Sequence, residues 1–459
     1  MINNIVKKTL LLMCISVIVL LPGHCQSKTP EAIISGKLQG FGKIPLLMPI
    51  NDLSKFELND SEKIAIEVDD NGNFTLKVPL KHPAYFRLGR NILYLSPNDN
   101  LQIEVNYEDP AVGVFKGKGS EANDYLKATP FPKAGSFLFG GINIQKDLPS
   151  TLEYVLQQGK NREQDLLARK NLSKEFIDME KARIKADIVN SLGDNLLAYY
   201  FYKTGKPESE IPKMREEIAK LSDHTINTYV KDFANSKYLQ LEVYQDIVPL
   251  IIKGNQAGNP EVKTLTQWYK ASEIFYDLTG FDNKADVKKY GQDKFKQITS
   301  DKYRKTLEKV YENLVAFGDG DNALNFTAMD INGKEQRLDQ FKGKVIFVDM
   351  WATWCGPCMK EMPQFEKLKE LYKDNQDIVF ISLSIDDKIN EWKQSVESRK
   401  ADGEQWNINR NKLKDYNIIG VPRVVIIDKN FKIAKMKGPM PSSDNIKELL
   451  DGIIQGTAQ

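Results

Sequence analysis

The run Val348-Asp349-Met350-Trp351-Ala352-Thr353-Trp354-Cys355-Gly356-Pro357-Cys358 constrains this chain more than any other segment. The apolar stretch Val345 to Met350 reads as a strand buried on both faces, and it leads within a few residues into a helix that opens at Cys-Gly-Pro-Cys. Two thiols are thereby placed at a strand-to-helix junction. Val379 to Ile385 reads as a second buried strand, followed by a helix around Asn390 to Lys400. The strands Val424 to Asp428 and Ile433 to Lys437 and a closing helix from Ser443 to about Ile454 complete an α/β layer covered on both faces.

The other two cysteines, Cys14 and Cys25, lie near the N-terminus. Residues 1–25 carry Lys7-Lys8, the apolar run Leu10 to Leu21 and Pro22-Gly23-His24-Cys25, which is the pattern of a secretory signal peptide. The expected location is exported, in the periplasm or cell envelope. The apolar run falls short of the roughly 20 residues that a spanning helix needs, so a membrane tether is the weaker alternative. Lipidation at Cys25 is disfavoured, because the preceding position normally holds a small residue and here holds His24.

After export only Cys355 and Cys358 are expected to serve the folded protein, in a compartment where small secreted proteins usually spend cysteines on structural bridges. A zinc site would need a second pair of ligands; His82 and His224 are isolated, so no metal and no cofactor are expected. The 64 basic and 62 acidic side chains nearly cancel, and losing Lys7 and Lys8 with the signal balances them. A nucleic-acid partner is not indicated.

Ahead of the α/β unit, assigned to residues 319–459, two further domains are expected: a β-sandwich over 28–118 and a helical domain over 119–317. Short alternating strands suggest the first, and Asp70-Asn71-Gly72 predicts a hairpin joining the strand Ile64 to Val68 to the strand Phe74 to Val78. Apolar stripes at helical spacing suggest the second, with six to eight helices. Its aromatic residues, among them Tyr199, Tyr202, Tyr244, Phe275 and Tyr276, read as core and rim packing rather than as a binding groove. Gly318-Asp319-Gly320-Asp321-Asn322 marks the boundary and reads as a solvated linker, without the ligand spacing of a cation loop.

Thiol-disulfide exchange needs an attacking thiolate, a second thiol to resolve the mixed disulfide and a proton acceptor. Cys355 would sit at the helix N-terminus, where free N–H groups and the helix dipole favour a negative sulfur; Cys358, one turn in, would resolve. Pro357 falls in the first turn, where a missing N–H costs little. Asp349, in an otherwise apolar strand, should have a raised pKa and could accept the proton of Cys358. The plainer alternative is a strand-end carboxylate bonded to a neighbouring loop. Gly420-Val421-Pro422 precedes a strand, where a cis bond facing the thiols would leave the Val421 backbone free for an incoming peptide.

With these residues assembled, the C-terminal unit resembles thioredoxin, and more closely the exported TlpA/ResA-type thioredoxin-like proteins. The likeness rests on Trp351 to Cys358, Asp349, Pro363 within the helix, Val421-Pro422 and the strand Val425-Ile426-Ile427-Asp428. It implies that Cys355 attacks, Cys358 resolves, Asp349 relays protons and Pro422 shapes a substrate groove with Trp354, Gly356, Pro357 and Val421. It also implies protein thiol/disulfide substrates and a membrane electron donor that recycles the pair. Residues 31–126 resemble, more loosely, the β-domain often fused ahead of such modules in envelope proteins. Gly-Pro between the cysteines suggests a reductant, whereas Val421 is also compatible with an oxidant, and Arg423 stands where a small hydroxyl residue is common. Two other readings are a thiol peroxidase, which would want Thr three rather than two residues before the attacking cysteine, and an envelope binding protein with an accessory thioredoxin-like domain.

Overall fold

The computed structural model describes residues 29–457 apart from 42–44, 57–62, 108, 130–134, 387 and 419. The segment read as a signal peptide lies outside the described residues.

The first eight strands are β1 (Glu31–Gln39), β2 (Leu46–Ile50), β3 (Ile64–Ala65), β4 (Asn73–Pro79), β5 (Ala84–Leu88), β6 (Asn91–Leu95), β7 (Asn100–Asn106) and β8 (Val114–Lys118). They form two four-stranded sheets, ordered β4-β1-β7-β8 and β3-β2-β5-β6. The sheets share one core, with Ile34, Val78 and Leu101 from the first and Leu47, Phe86 and Leu93 from the second. Strand β7 shows the period-two cause, with Leu101, Ile103 and Val105 buried and Gln102 and Glu104 exposed. Strand β6 is buried on both faces because Ile92 and Tyr94 turn away from that core to pack with the helices.

The hairpin expected at Asp70-Asn71-Gly72 is not formed as read. The turn is present, fixed by the Asp69 carboxylate accepting from the N–H groups of Asn71 and Asn73 at 2.9 and 2.8 Å, but its flanking strands join different sheets. Seven residues of β4 pair with β1, whereas Ile64 and Ala65 pair with β2. The turn is set by local chemistry, whereas the longer ladder offered by β1 decides the pairing.

The middle of the chain is helical: α1 (Ser120–Leu126), α2 (Leu148–Ala168), α3 (Lys174–Leu192), α4 (Asp194–Thr204), α5 (Ile211–Val230), α6 (Glu242–Gly254), α7 (Pro260–Gly280), α8 (Lys284–Lys294) and α9 (Asp301–Ala316). These nine helices among the described residues exceed the six to eight expected. Gly193, at φ −82° and ψ −137°, separates α3 from α4 although the apolar pattern runs on through Leu192, Leu196 and Leu197. Side-chain caps start several helices, for example Asp147 accepting from Ser150 N–H and Ser173 from Phe176 N–H. A buried network ties bundle to sheet: Tyr85 Oη donates to Glu180 Oε1 at 2.6 Å, and Arg183 Nε donates to the same carboxylate at 3.0 Å.

The C-terminal unit comprises β9 (Thr327–Asp330), β10 (Glu335–Arg337), β11 (Val345–Trp351), α10 (Gly356–Leu371), β12 (Ile378–Ser384), α11 (Ile389–Ser398), β13 (Glu404–Asn407), β14 (Arg423–Ile427), β15 (Ile433–Gly438) and α12 (Ile446–Gln455). Its seven-stranded sheet has the order β10-β9-β13-β12-β11-β14-β15, with β11 parallel to β12 and antiparallel to β14. One face packs on α10 and α12 through Phe347, Phe365, Leu450 and Ile453; the other packs on α11 through Trp392 and Val396. Strands β9, β10 and β13 are additional to those expected, since segments such as Glu335-Gln336-Arg337 carry no apolar signal of their own.

Residues 318–323 are not a solvated linker. Gly320 N–H donates to Ile433 O and Ala323 N–H to Phe431 O, both at 2.8 Å, while Asp319 accepts from Met436 N–H at 2.6 Å. The acidic residues that suggested solvent exposure instead fasten the segment along β15. Lys437 reinforces the joint by donating to the carbonyls of Thr279 and Phe281 at the end of α7.

Candidate active site

Strand β11 is buried along its whole length and its C-terminal end delivers the thiol loop. Trp351 closes the strand with its indole N–H donating to Ser382 Oγ at 2.9 Å, and Cys355 N–H donates back to Ala352 O at 3.1 Å. Helix α10 begins at Gly356, with Pro357 in its first turn and Cys355 as its N-cap. Cys355 Sγ accepts from Cys358 N–H at 3.2 Å, so the first sulfur occupies the position where a helix start favours negative charge. Cys355 and Cys358 are joined as a disulfide. Cys355 is 5% exposed and Cys358 1%. Both sulfurs are therefore nearly enclosed in the oxidised form.

Trp354, by contrast, is 68% exposed beside the pair. The Val421-Pro422 bond is cis, and Val421 O lies 3.6 Å from Cys355 Sγ. Gly356 and Pro357 lie between the two cysteines in the first turn of α10, and the cis Val421-Pro422 bond meets Cys355 through the Val421 carbonyl. Arg423, next in the chain, points into the joint with the helical region: it is 8% exposed, its Nη1 lies 3.4 Å from Met436 O, and burial pulls its pKa down to about 10.

Asp349 stands on β11 opposite Ser382 and Val424, 1% exposed. It shares its face of the strand with Val345 and Phe347, the face that α10 covers. Burial, reinforced by the negative charges of Glu361 and Glu366 on α10 and opposed by Arg399, pushes its pKa up to about 7. Its Oδ2 has no hydrogen-bond partner among the described residues, so the bland reading of a strand-end carboxylate satisfied by a loop does not hold for that oxygen.

Three residues around this site escaped the sequence. Asp386, 3% exposed, accepts from Thr353 N–H with both oxygens at 3.0 Å, from Thr353 Oγ1 at 2.7 Å and from Ser384 Oγ at 2.8 Å. Its signal was available, since an acid just beyond a buried strand parallel to β11 must emerge at the same sheet edge as the thiols. Arg399 lies with its guanidinium carbon 4.7 Å from the Trp351 ring centre and its Nη1 on Met362 Sδ at 3.4 Å, and no periodicity marks it out. Glu361, one turn beyond Cys358, accepts from Ser442 N–H and Oγ at 3.0 and 2.8 Å.

A mixed sheet flanked by helices, with a cysteine pair at the start of the helix that follows a central strand and a cis-proline loop against it, defines a thioredoxin-like redox protein. A Redoxin family model matches residues 318–450. The chain is 33% identical over 139 residues to the thiol-disulfide oxidoreductase ResA of Bacillus thuringiensis subsp. konkukian, covering 29% of this chain and 78% of that protein. It is 29% identical over 135 residues to ResA of Geobacillus thermodenitrificans, covering 29% and 77%. Among solved structures, a candidate thiol-disulfide oxidoreductase from Bacteroides vulgatus is 40% identical, covering 29% of this chain and 96% of that one with a TM-score of 0.29. Through its C-terminal third, the chain belongs to the TlpA/ResA-type thioredoxin-like family. It is a thiol-disulfide oxidoreductase.

Proposed function

We propose that this oxidoreductase is an exported reductant of protein disulfides, acting in the periplasm or cell envelope. The thiolate of Cys355 attacks one sulfur of a substrate disulfide, forming a mixed disulfide and releasing the first substrate thiolate. Asp349 accepts the proton of Cys358, whose sulfur then attacks Cys355 Sγ and expels the second substrate thiolate. Two electrons pass to the substrate and the Cys355–Cys358 disulfide remains, to be reduced by a membrane electron donor. The observation that carries this reading is Asp349, buried under α10 with an unpartnered oxygen and a pKa raised to about 7, where it can exchange protons at neutral pH. Trp354, Gly356, Pro357, Val421 and Pro422 form the groove that receives the substrate backbone. We read the two N-terminal sheets, which bury one common core, as a β-sandwich of the kind fused to such modules.

Equilibration of the purified protein against glutathione buffers tests the direction. A potential near the thioredoxin value of about −270 mV supports a reductant, and one above about −180 mV would reverse the assignment.

A further inference from the structure

Strands β11 and β12 run parallel with Trp351 opposite Ser384, so the segments that leave them, 352–358 and 385–386, emerge at one end of the sheet. Asp386 binds the two together through Thr353. Beyond Asp386 the chain enters α11, whose first turn forms one wall of a cleft of about 900 Å³; the opposite wall comes from the N-terminal sheets. Lys37 at the end of β1, Phe41 and Asp70 face Ile389 and Glu391 across this space. The two units approach at Lys388, whose Nζ lies 5.9 Å from the centre of the Tyr107 ring, and Tyr107 in turn packs edge-on against Phe41. Trp354 at the thiols and Tyr107 at the far side are both exposed, at 68% and 39%.

We propose that the cleft between the N-terminal sheets and α11 receives the extended polypeptide segment that flanks the disulfide of the substrate protein. This rests on the redox reading above and extends its substrate groove away from Cys355. The cleft starts close to the thiol site: Lys388, which lines it, follows two residues after Asp386, and the Thr353 bonds tie Asp386 to the thiol loop. Its charges are of both signs and balance on each wall, Lys37 with Asp70 on one and the Lys388–Glu391 ion pair at 3.0 Å on the other, which selects neither a polyanion nor a small acid. Such a surface suits a chain whose backbone supplies hydrogen bonds while side chains alternate between Phe41 or Ile389 and solvent. The N-terminal unit then sets which disulfides are reduced, whereas the thiol chemistry stays with the C-terminal unit.

The test uses the full-length protein with Lys37→Trp and Asn390→Trp, two exposed positions on opposite walls, each filling the cleft without touching the thiol loop. Reduction of insulin is compared with reduction of Ellman's reagent, a disulfide too small to reach the cleft. Each variant should lower kcat/KM for insulin by about fivefold or more and leave that for Ellman's reagent within about twofold. Insulin reduction unchanged in both variants would overturn the proposal, as would an equal loss with both substrates, which would mean that the substitutions act on the thiol site. A wild-type protein inert toward both disulfides would sink the redox reading itself, and this one with it.

Discussion

Replacing Asp349 by Asn removes a titration that the structure makes expensive. Burial moves the folded-state pKa from 3.8 to about 7, which corresponds to about 4 kcal/mol between the two protonation states. The sign follows from proton counting. Between the two pKa values the native state binds more protons than the unfolded chain, so the wild type is fully stable with respect to this group below pH 3.8 and loses that stability as pH rises toward 7. Most of the loss falls between about pH 4 and about pH 8. Asp349→Asn lacks it, and the orphaned buried amide adds only a pH-independent cost of about 1–3 kcal/mol. The stability difference, variant minus wild type, should therefore climb by about 4 kcal/mol across that window. Urea unfolding of the oxidised proteins, followed by tryptophan fluorescence, is well placed to show it, because Trp351, Trp354, Trp392 and Trp406 all lie in the C-terminal unit and only Trp268 lies outside. A difference that stays flat with pH would refute the claim that this carboxyl is held protonated by burial.

Cys358→Ala should trap a mixed disulfide on Cys355 that survives non-reducing electrophoresis, while Cys355→Ala should trap none. Thr353→Val, which removes the 2.7 Å bond to Asp386, should slow alkylation of reduced Cys355 by about threefold to tenfold, and Thr353→Ser should restore it; equal rates in all three proteins would dismiss Asp386 as a positioning group. Gly36 has φ +135°, and a Cβ there would stand 1.9 Å from the Ile103 carbonyl oxygen. Gly36→Ala should therefore destabilise the N-terminal sheets by about 2 kcal/mol or more, read as early protease cleavage in that region with Ellman's-reagent reduction by the surviving C-terminal unit retained.

The thiol site was legible in the sequence because its chemistry is local. Cys355, Gly356, Pro357 and Cys358 fall within one helical turn, and the strand before them is a continuous apolar run whose single acid announces itself. The same locality explains where the reading failed. At Asp70-Asn71-Gly72 it found a true turn but assigned the wrong partners, since four residues of turn chemistry carry no information about the β1 strand more than thirty residues upstream. At Asp319 and Asp321 it inferred solvent from charge, whereas backbone donors of Gly318 and Met436 and the side chain of Lys284 meet these carboxylates.

The sequence by itself determined the reactive pair, the helix that begins at it, the buried acid and the succession of a strand-rich region, a helical region and an alternating α/β unit, all properties of hydrophobic period and of residues close along the chain. Only the tertiary structure decided which strands share a sheet, that Arg399 stands against Trp351 and Met362, and that the N-terminal sheets face α11 across a cleft. Those facts depend on contacts between segments tens to hundreds of residues apart, whose free energy comes from shared burial and complementary hydrogen bonding that no single segment displays.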